Sequence, residues 1–280
     1  MVKTGGQQMF KLSIVMPVFN EQATIREAVR RVASVDYPCP VELVLVDDGS
    51  SDNTGMALDS MACNGIRVLH HPVNRGKGAA VRTGVRAATG THVLILDADL
   101  EYSPADIPAL MGPVFHRVSD HVFGTRVFGS NTRFPSYRYA MGGRLTTHFA
   151  NLVFDSCLTD MHTCFKLFPR EDFEALVLSE NGFGLDTQLT ARMLRAGVRP
   201  YEVPISYNGR TSAEGKKISW TDGLTCVGII LRTRMRRAPR LPGSGTLEDS
   251  VGVASSTVHR LPPPNVEARA ADDLRTASAR

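Results

Sequence analysis

Two carboxylate pairs stand out in the chain: Asp47-Asp48 and Asp97-Ala98-Asp99, with Glu101 two residues beyond the second. An Asp-x-Asp spacing on a tight turn lets two carboxylates converge on one divalent cation and its ligand. Hard oxygen ligands suit Mg2+ or Mn2+, ions that keep positions open for substrate phosphates. Glu101 offers a third oxygen. The stretch Asn74-Arg75-Gly76-Lys77-Gly78-Ala79 is a glycine-containing loop that opens a helix, where backbone N–H groups favour an anion. Its spacing is not GxxxxGK[ST], so ATPase or kinase chemistry loses its main support. Arg232, Arg234, Arg236, Arg237 and Arg240 crowd another stretch with no acid among them.

These groups need elements to hold them. Apolar runs at 12–16, 41–46, 66–70 and 92–96 read as strands. Helical patterns at about 21–34, 54–63 and 78–88 alternate with them. Near-continuous apolar strands alternating with helices predict an α/β chain with a parallel sheet covered on both faces. Ligands of such sheets bind outside the carboxyl ends of the strands. Asp47 and Asp48 close the second strand, and Asp97 and Asp99 close the fourth. The second half is less regular, with expected strands at 120–125, 165–168 and 198–203 and helices at 138–154 and 186–196.

Composition bounds the rest. The chain has 280 residues, enough for a sizeable core, and its 42% apolar content excludes wholesale disorder. A net charge of +4 does not by itself imply nucleic acid, and no nucleic-acid partner is expected. Five cysteines without a CxxC pair make a disulfide framework or zinc site unexpected and favour a reducing compartment. Residues 1–10 show no apolar run, so no signal peptide is expected, and they read as disordered. No run of about 18 apolar residues predicts a membrane span. Residues 11–218 read as the folded α/β domain and 219–237 as a basic amphipathic helix. Residues 238–280 read as a disordered tail, because Pro, Ser, Ala, Arg and Gly dominate there. The expected location is cytoplasmic, at the membrane surface; the oligomeric state is left open.

Four motifs in order carry a resemblance: Val15-Met16-Pro17-Val18-Phe19-Asn20-Glu21, Val46-Asp47-Asp48-Gly49-Ser50-Ser51-Asp52-Asn53-Thr54, Asn74-Arg75-Gly76-Lys77-Gly78 and Asp97-Ala98-Asp99-Leu100-Glu101. The chain resembles the family 2 glycosyltransferases, most of all their polyprenyl-phosphate sugar synthases, over about residues 11–237. The resemblance implies the Rossmann-like GT-A nucleotide-sugar-binding fold, with a mostly parallel sheet flanked by helices. It gives Pro17, Phe19 and Glu21 to the nucleotide, Asp47 and Asp48 to the base and ribose, and Lys77, Asp97, Ala98 and Asp99 to the donor diphosphate. It makes Asp99 and Glu101 ligands of Mg2+ or Mn2+, although many relatives carry Gln-His at Glu101-Tyr102. On the acceptor side it points to Arg126, Arg144, Arg210 and Lys217 as cations for a lipid phosphate. Cys164 stands where glycine is usual.

The implied chemistry is inverting transfer of a sugar from a nucleotide diphosphate to a polyprenyl phosphate. Cations neutralise the departing diphosphate, and positioning does much of the rest. A lipid phosphate is already anionic near pH 7 and needs no general base, whereas an alcohol acceptor does. The alternative is therefore a family 2 enzyme acting on a hydroxyl, with Asp186 as base; Asp186 also reads as a helix N-cap. A non-enzymatic binding module is disfavoured by carboxylates at the strand ends, and a nucleotidyltransferase by the missing basic glycine loop after the first strand. The arginine-rich stretch after apolar residues 224–231 suggests a helix lying on an anionic membrane.

Overall fold

The computed structural model describes residues 9–129, 131–210, 220–242 and 258–262. Its centre is a seven-stranded sheet built from β1 (Leu12–Val18), β2 (Val41–Asp47), β3 (Ile66–His70), β4 (His92–Ile95), β5 (Val122–Thr125), β7 (Lys166–Pro169) and β8 (Tyr201–Pro204). The order is β3-β2-β1-β4-β7-β5-β8, and β7 alone runs against its neighbours. A two-residue pairing joins β6 (Thr132–Arg133) to β9 (Tyr207–Asn208). The chain builds outward from β1 to β3, then crosses to β4 on the other side of β1. That reversal opens a crevice at the carboxyl ends of β1 and β4.

Alternation along β1 divides the core. Leu12, Ile14, Met16 and Val18 pack with α1 (Ile25–Ala33), α2 (Thr54–Met61) and α4 (Ile107–Phe115). Val15 faces the opposite layer with α3 (Lys77–Ala87) and α7 (Gly184–Arg195). Gly84 permits this close approach of α3, since a Cβ there would lie 2.5 Å from Val15 Cγ1. The long α5 (Tyr137–Phe154) starts where the Ser136 hydroxyl accepts from Tyr139 N. α8 (Trp220–Met235) packs against α5 and α7, burying Ile229, Ile230 and Thr233.

Two helices lie outside the sequence expectations. α4 carries Pro108 in its first turn, where a missing N–H costs nothing, and Pro113 near its end. α6 (Arg170–Ala175) is too short to show a period. The expected disorder does not hold for the terminal residues the structure describes. Phe10 is buried, stacked on His92 at 4.6 Å and edge-on to Phe115 at 4.9 Å. Leu241 is buried. Residues 258–262 form a strap: Tyr37 N donates to His259 O and His259 N to Tyr37 O, both at 2.8 Å. Arg260 pairs with Asp36, and Leu261 enters the core beside Gly65. The other expected disordered residues lie outside the described ones.

Candidate active site

The carboxylates at the strand ends fall into two groups. Asp47 and Asp48, at the end of β2, are committed internally. Asp47 accepts from Ser50 N at 3.0 Å and pairs with His70 Nδ1 at 3.0 Å. Asp48 accepts from Arg75 N at 3.0 Å and Gly76 N at 2.7 Å, and meets His71 Nδ1 at 2.7 Å. Asp48 therefore fastens the glycine loop to the sheet, a role that differs from the base and ribose contact the resemblance implies. Gly76 adopts φ 93°, and a Cβ at Gly76 or Gly78 would strike the carbonyls of Asn181 and Glu180.

The second group converges at the ends of β1 and β4. Asp99 accepts from Glu101 N at 3.0 Å and from Arg210 Nη2 at 3.3 Å. Arg210 Nη2 also lies 3.6 Å from Glu21 Oε1, and its Nε 3.8 Å from Glu101 Oε1. Burial, then the charges of Asp97 and Glu101, push the Asp99 carboxyl up to about 7. Such crowding of acids is what a bound divalent cation relieves, so Asp99 with Asp97 fits Mg2+ or Mn2+. Glu101 fits less well than the resemblance implies. Its oxygens accept from the Tyr207 hydroxyl at 2.7 Å and from Arg210 N at 2.7 Å. Among the described residues no three His, Cys, Asp or Glu side chains form a ready-made metal site. Pro17 is half-buried at the end of β1, Phe19 exposed and Ala98 buried.

Lys77, at the start of α3, ties the crevice together. Its Nζ donates to Asp97 Oδ2 at 2.9 Å, Asp186 Oδ2 at 3.1 Å and Cys164 Sγ at 3.2 Å. The Cys164 thiol donates to Asp97 Oδ2 at 2.7 Å. Lys166, fully buried, donates to Thr163 O and lies 3.6 Å from Asp186 Oδ1. Burial pulls the Lys77 amine down, but Asp186 and Asp97 prevail and hold it well above its ordinary value. Burial raises Asp186, yet Lys77 and Lys166 leave its carboxyl below the ordinary range. Asp186 lies in the first turn of α7, after Phe183 and Gly184, so it is not the N-cap. Two buried atoms here, Asp186 Oδ1 and Arg210 Nε, have no hydrogen-bond partner among the described residues. A ligand could supply both.

Arg126 follows β5 but turns inward. Its Nε and Nη2 donate to Asp160 at 2.6 and 2.8 Å, and its guanidinium lies 4.9 Å from the Tyr207 ring centre. It is 5% exposed. Burial lowers its pKa, but Tyr102 and Asp160 raise it well above the ordinary value. This differs from a phosphate-facing cation: Arg126 positions Tyr207, which in turn holds Glu101. Arg144 stands exposed on α5, outside this network. Lys217 lies outside the described residues. The stretches Asp160 to Phe168 and Tyr207-Asn208-Gly209-Arg210 carry part of the resemblance on the acceptor side, but sequence reasoning gives no individual role to Asp160, Lys166 or Tyr207.

A Rossmann-like, mostly parallel sheet with acids at the crevice defines the class of α/β proteins that take ligands at the carboxyl ends of their strands. The model of glycosyl transferase family 2 matches residues 13–177, and the chain belongs to that family. It is 37% identical over 124 residues to a dodecaprenyl-phosphate galacturonate synthase of Rhizobium johnstonii, covering 42% of this chain and 37% of that protein. The chain thus spans little over a third of the length of that relative. It is 27% identical over 241 residues to an undecaprenyl-phosphate mannosyltransferase of Micrococcus luteus, covering 82% of this chain and 95% of that one. Among solved structures, the glucosyl-3-phosphoglycerate synthase of Mycobacterium tuberculosis, in complex with Mn2+, UDP and phosphoglyceric acid, superposes with a TM-score of 0.60. The identity is 21%, with 92% and 88% of the two chains covered, a likeness of fold.

Proposed function

We propose that the protein moves a sugar, with inversion, from a UDP- or GDP-linked donor to a polyprenyl phosphate. One observation carries the choice of acceptor. Asp186, the carboxylate expected to act as base for a hydroxyl acceptor, is held by Lys77 and Lys166 with its pKa lowered. A carboxylate in that state is a poor proton acceptor, so an acceptor that arrives as an anion fits better. The names of the two relatives support a lipid phosphate, and the Mn2+ and UDP of the M. tuberculosis structure support a metal-assisted nucleotide donor.

A divalent cation at Asp99 and Asp97 would neutralise charge on the leaving diphosphate. Lys77 holds Asp97 and Asp186 at fixed distance, and Arg126 fixes the Tyr207–Glu101 contact behind them. Arg210 and Arg144 are the described cations suited to the acceptor phosphate. Incubation with radiolabelled UDP- and GDP-sugars should put label into an organic-extractable product when polyprenyl phosphate is supplied. Transfer to soluble sugar hydroxyls at an equal rate, lost in Asp186→Asn, would replace this reading with the hydroxyl-acceptor one.

The acceptor implies a membrane surface, and two neighbouring helices suit it. Along α5, Tyr137, Leu145 and Leu152 are exposed, with Arg138 and Arg144 beside them and no acid within the helix. Along α8, Leu224, Leu231 and Met235 share one exposed face flanked by Arg232 and Arg234. No described helix is long and apolar enough to cross a membrane. Apolar stripes edged by arginine suit the interface of an anionic bilayer at the cytoplasmic face, each basic residue near the surface adding roughly 1 kcal/mol. Leu231→Glu with Arg234→Glu should reduce sedimentation with phosphatidylglycerol vesicles about tenfold or more. Undiminished sedimentation would remove this surface from consideration.

A further inference from the structure

We propose that the Arg210 guanidinium is the resident counter-ion of the donor carboxylates, and that it and a divalent cation exclude one another. The inference rests on the metal-assisted reading above and adds a device to it. Glu21, Asp99 and Glu101 surround the guanidinium at 3.6, 3.3 and 3.8 Å. Three acids thus meet one cation at the crevice where the donor diphosphate and its metal belong. Asp99 belongs to both sets: it cannot serve a dication with the guanidinium still 3.3 Å from it, because the two like charges would sit within a few ångströms.

The manner of attachment separates Arg210 from the structural arginine nearby. Arg126 meets Asp160 through two short bonds in a dry interior. Among the described residues Arg210 makes a single side-chain hydrogen bond, of 3.3 Å, and its buried Nε has no hydrogen-bond partner. Its backbone, by contrast, is fastened: Arg210 N donates to Glu101 at 2.7 Å and Gly209 N to Arg133 O at 2.9 Å. The side chain is held by charge and tethered at its base, so it can leave without unfolding the segment. Once displaced, it is free to pair with an anionic acceptor. Binding reciprocity then requires acceptor phosphate and metal to tighten one another by the same factor.

Mn2+ affinity, read by electron paramagnetic resonance without nucleotide, tests this. Arg210→Gln should bind Mn2+ about tenfold more tightly than the wild type, and Arg210→Lys, which keeps the charge, should stay near the wild type. In the wild type, farnesyl phosphate should tighten Mn2+ binding several-fold; this coupling needs no variant and decides the matter should Arg210→Gln fail to fold. Unchanged or weaker Mn2+ binding by a folded Arg210→Gln, or no coupling in the wild type, overturns the proposal. Mn2+ bound by the wild type with UDP, but without these effects, leaves the metal-assisted reading standing. No Mn2+ binding in any condition removes both.

Discussion

Asp99→Asn is expected to lower sugar transfer by at least about a hundredfold while making the metal-free protein more stable at pH 8. The loss follows from removing an anionic ligand of the diphosphate-neutralising cation, whose electrostatic effect acts on the developing charge. The gain follows from linkage. Burial, with Asp97 and Glu101 beside it, raises the folded-state pKa of Asp99 to about 7, above the ordinary carboxyl value near 4. A raised carboxyl contributes stability that is complete below about pH 4 and is lost as pH climbs toward 7. Asparagine never ionises and avoids that loss. The melting temperatures of variant and wild type, measured with a chelator, should therefore agree near pH 4 and part by pH 8, the variant higher. Mn2+ with UDP should raise the wild-type melting temperature more than that of the variant. A variant that is less stable at pH 8, or fully active, would contradict this account of the site.

Arg126→Ala should cost roughly 3 kcal/mol or more of stability, because it leaves Asp160 buried and uncompensated. For a domain of this size that lowers the melting temperature by on the order of 10 °C. Burial raises the Asp160 carboxyl, but Arg126 more than offsets it and its pKa lies below the ordinary value. Its share of stability is therefore present at neutral pH and lost as pH falls below the ordinary carboxyl range. The destabilisation by Arg126→Ala should accordingly shrink under acid. Paired apolar replacement, Arg126→Met with Asp160→Leu, should recover much of the lost stability, since the desolvation of both charges is removed together. Calorimetry decides between roles: an Arg126→Ala protein that melts like the wild type but fails only toward lipid phosphate would return Arg126 to the acceptor.

The first half of the fold is legible in the sequence because each strand is an apolar run and each helix an amphipathic one. Residues 66–70 form a strand as expected, and α5 begins one residue from its expected start. What sequence does not carry is direction and long-range pairing. The apolar run at 165–168 reads as a strand in either orientation, and only pairing with β4 and β5 reverses it. Spacing places Arg126 after β5 but is silent on Asp160, 34 residues further along. Prolines hide α4, and a polar composition hides the docking of Leu261. For the site, residue types locate the acids correctly at the strand ends. The division of labour among them, Asp48 fastening a loop and Glu101 fastening Tyr207, depends on the amides of Arg75 and Gly76 and on the Tyr207 hydroxyl, partners that motifs do not show.

The reversal of β7 changes who may contribute to the crevice. A strand running with the others presents its exit to the ligand edge, so chemistry is written in the loops that leave the sheet. β7 presents its entrance: Cys164, in the approach, meets Asp97, and Lys166, its first residue, faces Asp186. The exit of β7 passes instead to the opposite edge, where Arg170 meets Thr91 and Gly90. Substitutions in the approach, such as the thiol at position 164, thus reshape the ligand edge without a new loop and without disturbing the scaffold beyond the strand. The fold keeps one inbound segment open to tinkering beside its fixed outbound acids.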